Sequence, residues 1–500
     1  MQTSREVPSA LAWSVVSKLL VSILALVSNV LIVRGLGDHD YGVYSLYLNI
    51  ARFLAPLIGL GLAQAVLQFL PELRVRADAR GTRQLLLRTV GLQLFTWLAV
   101  VGLVYLLRGQ LSTLLKTDLR TILLLGTLLL ICEVLWNSIS HVFMALRRMQ
   151  RLTLASVLQR AALIVLLLLL LLSGLTIPRV LYAVAGSFLV GILILGPGLR
   201  RGLGRGAEAT GEGLALRRML RYALPIAVGA VINQILWRSS ETLVIGYYWP
   251  AEQVGYFNAA YNLPQMILEF VPLAIWPIML ASLSEVHAQR AADLARGIRL
   301  YFRLLFILVV PFALTGFVLG AEAYRVLYGA QMAPGAPICQ ALFLVFLLAF
   351  FTTPLRMALY VKERALLNTG ISAVGAVINL VLDFVFIPRY GIWGGVWPVA
   401  IALGCTGVLQ YVCSKRLLPE IEIPWSHFLR VLTGAAVILP LWWLRPHLGA
   451  PLPLAGALIG GTLLQFLLLR QLRVLGEEER SLLLRSNLPL KRWLTRLLAP

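Results

Sequence analysis

Cysteine and acidic side chains are both scarce in this chain, and each scarcity excludes something. The four cysteines of its 500 residues, Cys132, Cys339, Cys405 and Cys413, show no CxxC spacing. Neither a disulfide framework nor a zinc site is expected, and no other metal or cofactor is called for. Asp and Glu together number only 22, against 44 Lys and Arg. Charged residues of both signs make up 13% of the chain, roughly half the share usual in a soluble domain. No polar stretch is long enough for a separate soluble domain. The glycine-rich run from Arg200 to Gly206 follows no strand and is followed by no Gly-Lys-Ser/Thr, which excludes a phosphate loop. No catalytic constellation is assigned, so the chain does not read as an enzyme.

What is present is hydrophobic: 59% of the residues are apolar, with a mean hydropathy of +0.84. A helix needs about 20 apolar residues to cross the hydrocarbon layer. Fourteen stretches qualify, near 9–33, 42–70, 85–107, 121–146, 154–173, 179–199, 222–246, 255–283, 300–320, 337–360, 365–387, 392–413, 428–444 and 452–470. The expected fold is an all-α polytopic membrane protein of about fourteen transmembrane helices. The first stretch is too long for a cleaved signal core and reads as a retained helix.

The formal net charge of +22 raises the question of a nucleic-acid partner. Its distribution answers it. With the N-terminus inside, about 31 of the 44 basic residues fall in cytoplasmic loops and termini, and about eight fall outside. That asymmetry sets orientation and meets anionic head groups; it does not call for nucleic acid. The expected location is the cytoplasmic (inner) membrane, with both termini cytoplasmic.

Landmarks recur at an offset of 213 residues. Gly42 in Tyr41-Gly42-Val43-Tyr44 is answered by Gly255 in Val254-Gly255-Tyr256-Phe257. Asn49 is answered by Asn262, and Met144-Ala145-Leu146 by Met357-Ala358-Leu359. The offset predicts two six-helix lobes, 1–199 and 222–413, joined by a flexible cytoplasmic linker at 200–221. Two further helices occupy 414–470. A basic tail at 471–500 reads either as an amphipathic helix on the inner leaflet or as a disordered segment. Paired lobes of this kind build substrate sites between halves that rock against one another.

Polar groups within spans are costly in lipid and mark interior faces. Ser14, Lys18, Ser22 and Asn29 share one face of the first span, and Asn49 and Arg52 lie three apart on the second. The seventh carries Gln234, Arg238 and Glu241; the eighth carries Asn258, Asn262, Gln265 and Glu269; the fourth carries Glu133, Asn137 and His141. Lys18 and Arg52 lie about 14–15 Å into their spans, near the midplane. Two deep cations suit an anionic group such as pyrophosphate, with Arg238 as a third candidate. Asn29, Asn49, Gln234, Asn258, Asn262 and Gln265 are candidates for lining the path. Glu133, Glu241, Glu269 and Asp383 are candidates for a coupling-ion site. Each has a structural alternative. Arg238 and Glu241 suit a mutual ion pair, Lys18 and Arg52 can pair with Glu133 or Glu269, and the amides can simply bond across helices. Asp383 is expected at the interface, and Arg160 and Arg356 near enough to the cytoplasmic ends to snorkel.

The run Arg34-Gly35-Leu36-Gly37-Asp38-His39-Asp40-Tyr41-Gly42-Val43-Tyr44-Ser45 resembles the first-loop signature of bacterial polysaccharide-unit flippases of the O-antigen type. Asn379-Leu380-Val381-Leu382-Asp383, followed by Ile387-Pro388-Arg389-Tyr390-Gly391 and Gly394-Gly395, is similar to a second signature of that family. Both carry turn-forming residues, and the glycines at 35, 37 and 42 are expected to make the first turn. The resemblance implies a flippase for polyprenyl-pyrophosphate-linked oligosaccharide in lipopolysaccharide or other surface polysaccharide synthesis, with a cationic central cavity. It leaves open a lipid II flippase or a cation-coupled multidrug antiporter of the same superfamily. A glycosyltransferase on the same lipid donor would need acidic outer loops, and here these are short with scattered acids. The expected partners are the lipid-linked glycan, the bilayer and polysaccharide-assembly proteins.

Overall fold

The computed structural model describes residues 3–76, 78–114, 120–202, 215–237, 240–474 and 476. Most of the linker and most of the basic tail therefore lie outside the described residues. Sixteen α-helices are described: α1 (Thr3–Gly59), α2 (Leu62–Val75), α3 (Ala79–Leu114), α4 (Arg120–Ala145), α5 (Met149–Leu171), α6 (Ile177–Gly202), α7 (Leu216–Trp237), α8 (Ser240–Tyr248), α9 (Ala251–Gln289), α10 (Leu294–Tyr328), α11 (Ala336–Val361), α12 (Ala365–Tyr390), α13 (Val396–Leu417), α14 (Trp425–Ala435), α15 (Leu441–Leu444) and α16 (Pro451–Gln471). No strand occurs among the described residues. Thirteen of the fourteen spans read from the sequence are centred on α-helix; the other, 428–444, is centred on the 3-10 turn Ala436–Ile438 between α14 and α15. Ten helical stretches pass by length and apolarity as membrane spans, and Leu20–Val75 and Ala365–Leu417 are each long enough for two passes. The protein is an all-α, multi-pass membrane protein.

The chain divides into two compact units, Leu19–Val254 and a second made of Met1–Lys18 with Gly255–Pro500. The divisions fall inside α1 and α9. In the first unit, α2 presents Leu62, Ala65, Val66, Phe69, Leu70 and Leu73 at helical spacing to Leu85 of α3, Val142 of α4, and Met219 and Ala223 of α7. Lipid tails are as apolar as these side chains, so dispersion and close packing hold the helices together, with hydrogen bonds across them. Tyr47 of α1 donates to the Gly126 carbonyl of α4 at 2.7 Å. Gln93 of α3 donates to Ser138 of α4 at 2.8 Å. Gln159 of α5 donates to Ser187 of α6 at 2.7 Å. The neighbouring apolar side chains Phe95, Leu98 and Leu106 of α3 are exposed, as acyl-facing side chains are.

The first-loop motif works differently from the expected three-glycine turn. α1 is helical through it except at Gly37, whose φ of 78° only glycine adopts cheaply. Gly42 lies inside helix, and its lack of a side chain serves another purpose. A Cβ there would overlap the Ala251 carbonyl at the start of α9. The second motif makes the expected turn: α12 ends at Tyr390, and Gly391 (φ 58°) opens a 3-10 turn, Gly391–Gly395, leading into α13.

In the second unit α10 is the central post, with 89% of its most apolar window buried. One side packs on α11. Another is covered by the helices that follow α13. Phe306 of α10, Phe351 of α11 and Trp425 and Phe428 of α14 form one aromatic cluster, with ring centroids 5.0–5.6 Å apart between successive partners. Gln465 of α16 is fully buried. It accepts from Thr315 of α10 at 3.0 Å and donates to the Ala435 carbonyl of α14 at 2.8 Å. Arg445 donates to Glu322 of α10 at 2.8 Å and to Gln340 of α11 at 3.2 Å. The C-terminal helices are thus bolted to α10 along its length.

Candidate functional site: a charged cluster on the first unit

In the first unit, a carboxylate on one helix lies within electrostatic reach of cations on two others. Arg52 stands on the second half of α1, Glu133 on α4 and Arg160 on α5. Glu133 lies within electrostatic reach of both arginines, and Tyr44 interacts with all three. Arg52 and Arg160 are half-buried, whereas Glu133 and Asn137, one turn further along α4, are exposed. The polar face expected on α4 therefore exists, with His141 completing it. His141 accepts at its Nε2 from the Gln64 side-chain amide at 3.3 Å and donates from its Nδ1 to the Asn137 carbonyl at 2.8 Å. Two cations and one carboxylate leave a surplus positive charge, flanked by the Tyr44 hydroxyl. Such a group can take an anion through guanidinium forks, or a cation at the carboxylate once the arginines let go.

Arg160, expected near enough to the cytoplasmic end to snorkel, stands on α5, which begins at Met149 rather than near residue 154. It is half-buried and within electrostatic reach of Glu133.

The other candidates fall as follows. The side chains of Lys18 and Gln234, and Arg238 altogether, lie outside the described residues. Asn29 is half-buried on α1. Asn49 is fully buried, and its amide donates to the Ser45 carbonyl of its own helix at 2.8 Å, which places it in the packing rather than on an open surface. Glu241 is buried on α8, 2% exposed. In the second unit, Asn262 donates to the buried Asn258 at 2.9 Å, and Gln265 donates to Glu269 at 3.0 Å, so the α9 polar face is bonded along itself. Asp383 corrects an expectation: it is not interfacial but wholly buried, accepting from Asn379 at 3.3 Å. Its place near the polar turn suggests exposure, but α12 and α13 pack closely around it. Among the described residues no group of three or more His, Cys, Asp or Glu is placed to hold a metal.

At the 247–254 end of the same first unit, His39 and Glu252 meet at 2.7 Å. The Glu252 carboxyl is held below the usual range, first by a backbone N–H at its own position and then by the His39 bond.

Residues 10–279 match the family of polysaccharide biosynthesis proteins, which is more than half of the chain. The chain belongs to that family. No curated protein matches it in sequence. In three dimensions this family member resembles a structure described as the lipid II flippase MurJ in an inward closed conformation: TM-score 0.72, 15% identity, 91% of this chain and 97% of that one. A multidrug resistance MATE transporter of the MOP superfamily, in an inward-facing conformation, aligns with TM-score 0.65 and 14% identity over 81% of this chain and 98% of its own. A MOP superfamily transporter from Pyrococcus furiosus follows at 0.58 and 14%, over 82% and 96%. At such identities the likeness is one of fold. The chain is a multi-pass membrane protein of the polysaccharide biosynthesis family, and its fold is that of these structures.

Proposed function

We propose that this protein is a flippase carrying polyprenyl-pyrophosphate-linked oligosaccharides from the cytoplasmic to the outer leaflet of the inner membrane, as in the assembly of O-antigen-type polysaccharide. The observation that carries the proposal is the Arg52–Glu133–Arg160 cluster, a net-positive group on three helices of one unit. Family membership supports it, and so does a fold shared with a protein described as a lipid II flippase. In this reading Arg52 and Arg160, with Lys18 and Arg238 as further candidates, hold the pyrophosphate. Asn29, Gln234, Asn258, Asn262 and Gln265 line the sugar path. The two repeats, lobes 1–199 and 222–413, alternate access, with both termini in the cytoplasm. The lipid tail stays in the bilayer.

Translocation of lipid-linked oligosaccharide by proteoliposomes tests this. Removing one charge-assisted hydrogen bond to the pyrophosphate should slow transport about ten- to hundredfold, so Arg52→Ala and Arg160→Ala should both fall by that much while remaining folded. Unchanged rates in both variants would refute the anion site. The exposed Glu133 supports a second reading, a cation-coupled drug antiporter. It predicts the reverse ranking: Glu133→Gln abolishes drug efflux while Arg52→Ala spares it.

A further inference from the structure

The first unit carries a polar face on α2 that the flipping proposal leaves unused. The apolar side of this helix is buried against α3, α4 and α7. Gln64 and Gln68, one turn apart on its other side, are exposed. This face joins that of α4. The Gln64 amide donates to Nε2 of His141 at 3.3 Å, and Nδ1 of His141 donates to the Asn137 carbonyl at 2.8 Å. Behind that contact, Val142 and Leu146 of α4 pack on the apolar side of α2. Asn137 is exposed, and so is Glu133, one turn further on. Glu133, Asn137 and His141 follow one another at four-residue steps, so the stripe runs about 12 Å along α4 from the carboxylate of the charged cluster.

Two observations point from this stripe to a ligand. It lies within stretches apolar and long enough to cross the membrane, Leu20–Val75 and Leu125–Ala145. An amide turned to lipid there would lose its water with nothing in exchange, so exposed amides at such positions face water. The stripe also has unused bonding capacity. Among the described residues, no hydrogen bond takes up the side-chain amides of Asn137 and Gln68 or the Oε1 of Gln64. Gln64, Gln68 and Asn137 carry no charge, and each offers donors and an acceptor side by side. That chemistry matches the hydroxyl and acetamido groups of a sugar. A second anionic group would call for cations, and a cationic drug for carboxylates.

We propose that Gln64, Gln68 and Asn137 form the subsite for the sugar next to the pyrophosphate, and that this sugar is uncharged. His141, fixed by the Asn137 carbonyl, orients Gln64. The stripe leads from Glu133 toward Leu146, the end of α4 that the proposed orientation makes cytoplasmic. The sugar thus extends from the Arg52–Glu133–Arg160 group toward the side of loading. The identity of the ligand rests on the flipping proposal; the subsite itself belongs to the first unit alone.

Purified full-length protein in an uncharged detergent is titrated with undecaprenyl pyrophosphate, either bare or carrying N-acetylglucosamine or glucuronic acid. Native mass spectrometry counts the bound lipid. The wild type should bind the N-acetylglucosamine lipid about tenfold more tightly than the bare one, and the glucuronic acid lipid no more tightly than the bare one. Losing a neutral hydrogen bond should weaken binding of the N-acetylglucosamine lipid about three- to tenfold in Gln64→Ala, Gln68→Ala and Asn137→Ala, with bare-lipid binding unchanged. Arg52→Ala should weaken all three lipids alike. Gln68→Ala removes no hydrogen bond within the described residues, so it decides alone should the others fail to fold. Equal binding of bare and N-acetylglucosamine lipid by the wild type overturns the subsite, as do equal losses for both lipids in the amide variants. Tighter binding of the glucuronic acid lipid than of the N-acetylglucosamine lipid overturns its preference for an uncharged sugar. Translocation by wild-type proteoliposomes is measured separately. Failure there with sugar-dependent binding intact removes the flipping reading and leaves the subsite; absence of binding by every lipid removes both.

Discussion

Arg445 joins the C-terminal helices to α10 through a carboxylate that water hardly reaches. Its side chain is 16% exposed and that of Glu322 6%, with 2.8 Å between them. Replacing Arg445 by Met keeps the bulk and the apolar stem but removes the fork. Glu322 is then left with only Arg325, 3.5 Å away and half-exposed, and Gln340 is deprived of its donor. Removing one partner of a buried pair typically costs 3–5 kcal/mol, because the survivor keeps its desolvation penalty. Since Arg325 takes over part of the compensation, about 3 kcal/mol is expected here. The double variant Arg445→Met/Glu322→Gln carries no orphaned charge, so it should recover at least half of the loss. The coupling in the cycle should then be about 1.5 kcal/mol or more. Reversible unfolding of the four proteins in mixed micelles, titrated with dodecyl sulfate, measures it. A single-variant loss under about 1 kcal/mol, or strict additivity, would refute the view that this pair pins the C-terminal helices.

Three further outcomes follow from local geometry. Gly42→Ala should cost about 1–3 kcal/mol in thermal unfolding, since the added methyl meets the Ala251 carbonyl and neither backbone can yield easily. By contrast Gly91→Ala and Gly102→Ala, in open space on α3, should be neutral or stabilising by up to about 1 kcal/mol. The His39–Glu252 pair should give an acid-sensitive increment of stability. Because the folded carboxyl titrates below its unfolded value, the increment is present above the ordinary glutamate range near pH ~4.3 and is lost as pH falls through the lowered value. Melting curves from pH ~7 to pH ~3 should therefore flatten in Glu252→Gln; a wild-type slope in that variant would remove the pair from the account. Phe69→Ala should cost about 3 kcal/mol or more, because its ring fills the junction of α2, α3, α4 and α7 and also meets Tyr222 edge-on at 5.4 Å. Phe95→Ala, exposed on α3, is the control and should change unfolding little.

Hydropathy and helical period were enough, without coordinates, to determine that the chain is a multi-pass membrane protein and where most of its long apolar helices lie. A span must hide some 20 peptide units from lipid, and only an uninterrupted apolar helix does so. The turn after α12 was legible for the same reason, since Pro388 and the following glycines act on their own backbone. The exposed polar face of α4 was legible as a four-residue spacing. The site itself was legible only in part. Arg52 stood out as a deep cation and Glu133 as part of the α4 polar face, but that Arg160 lies within electrostatic reach of Glu133 depends on packing between helices that no local spacing encodes. Asp383 looked interfacial by position and is buried because α13 folds over it. Gly42 looked like a turn residue and is a point of close approach to a carbonyl more than 200 residues away. Arg356, read as near enough to an end to snorkel, is half-buried beside the Trp276 ring of α9. The difference is physical. Crossing a membrane is decided by a segment and its solvent, one helix at a time. Which charges meet, and which donors are left unmatched, is decided by packing between helices distant in sequence, and only the tertiary structure contains that.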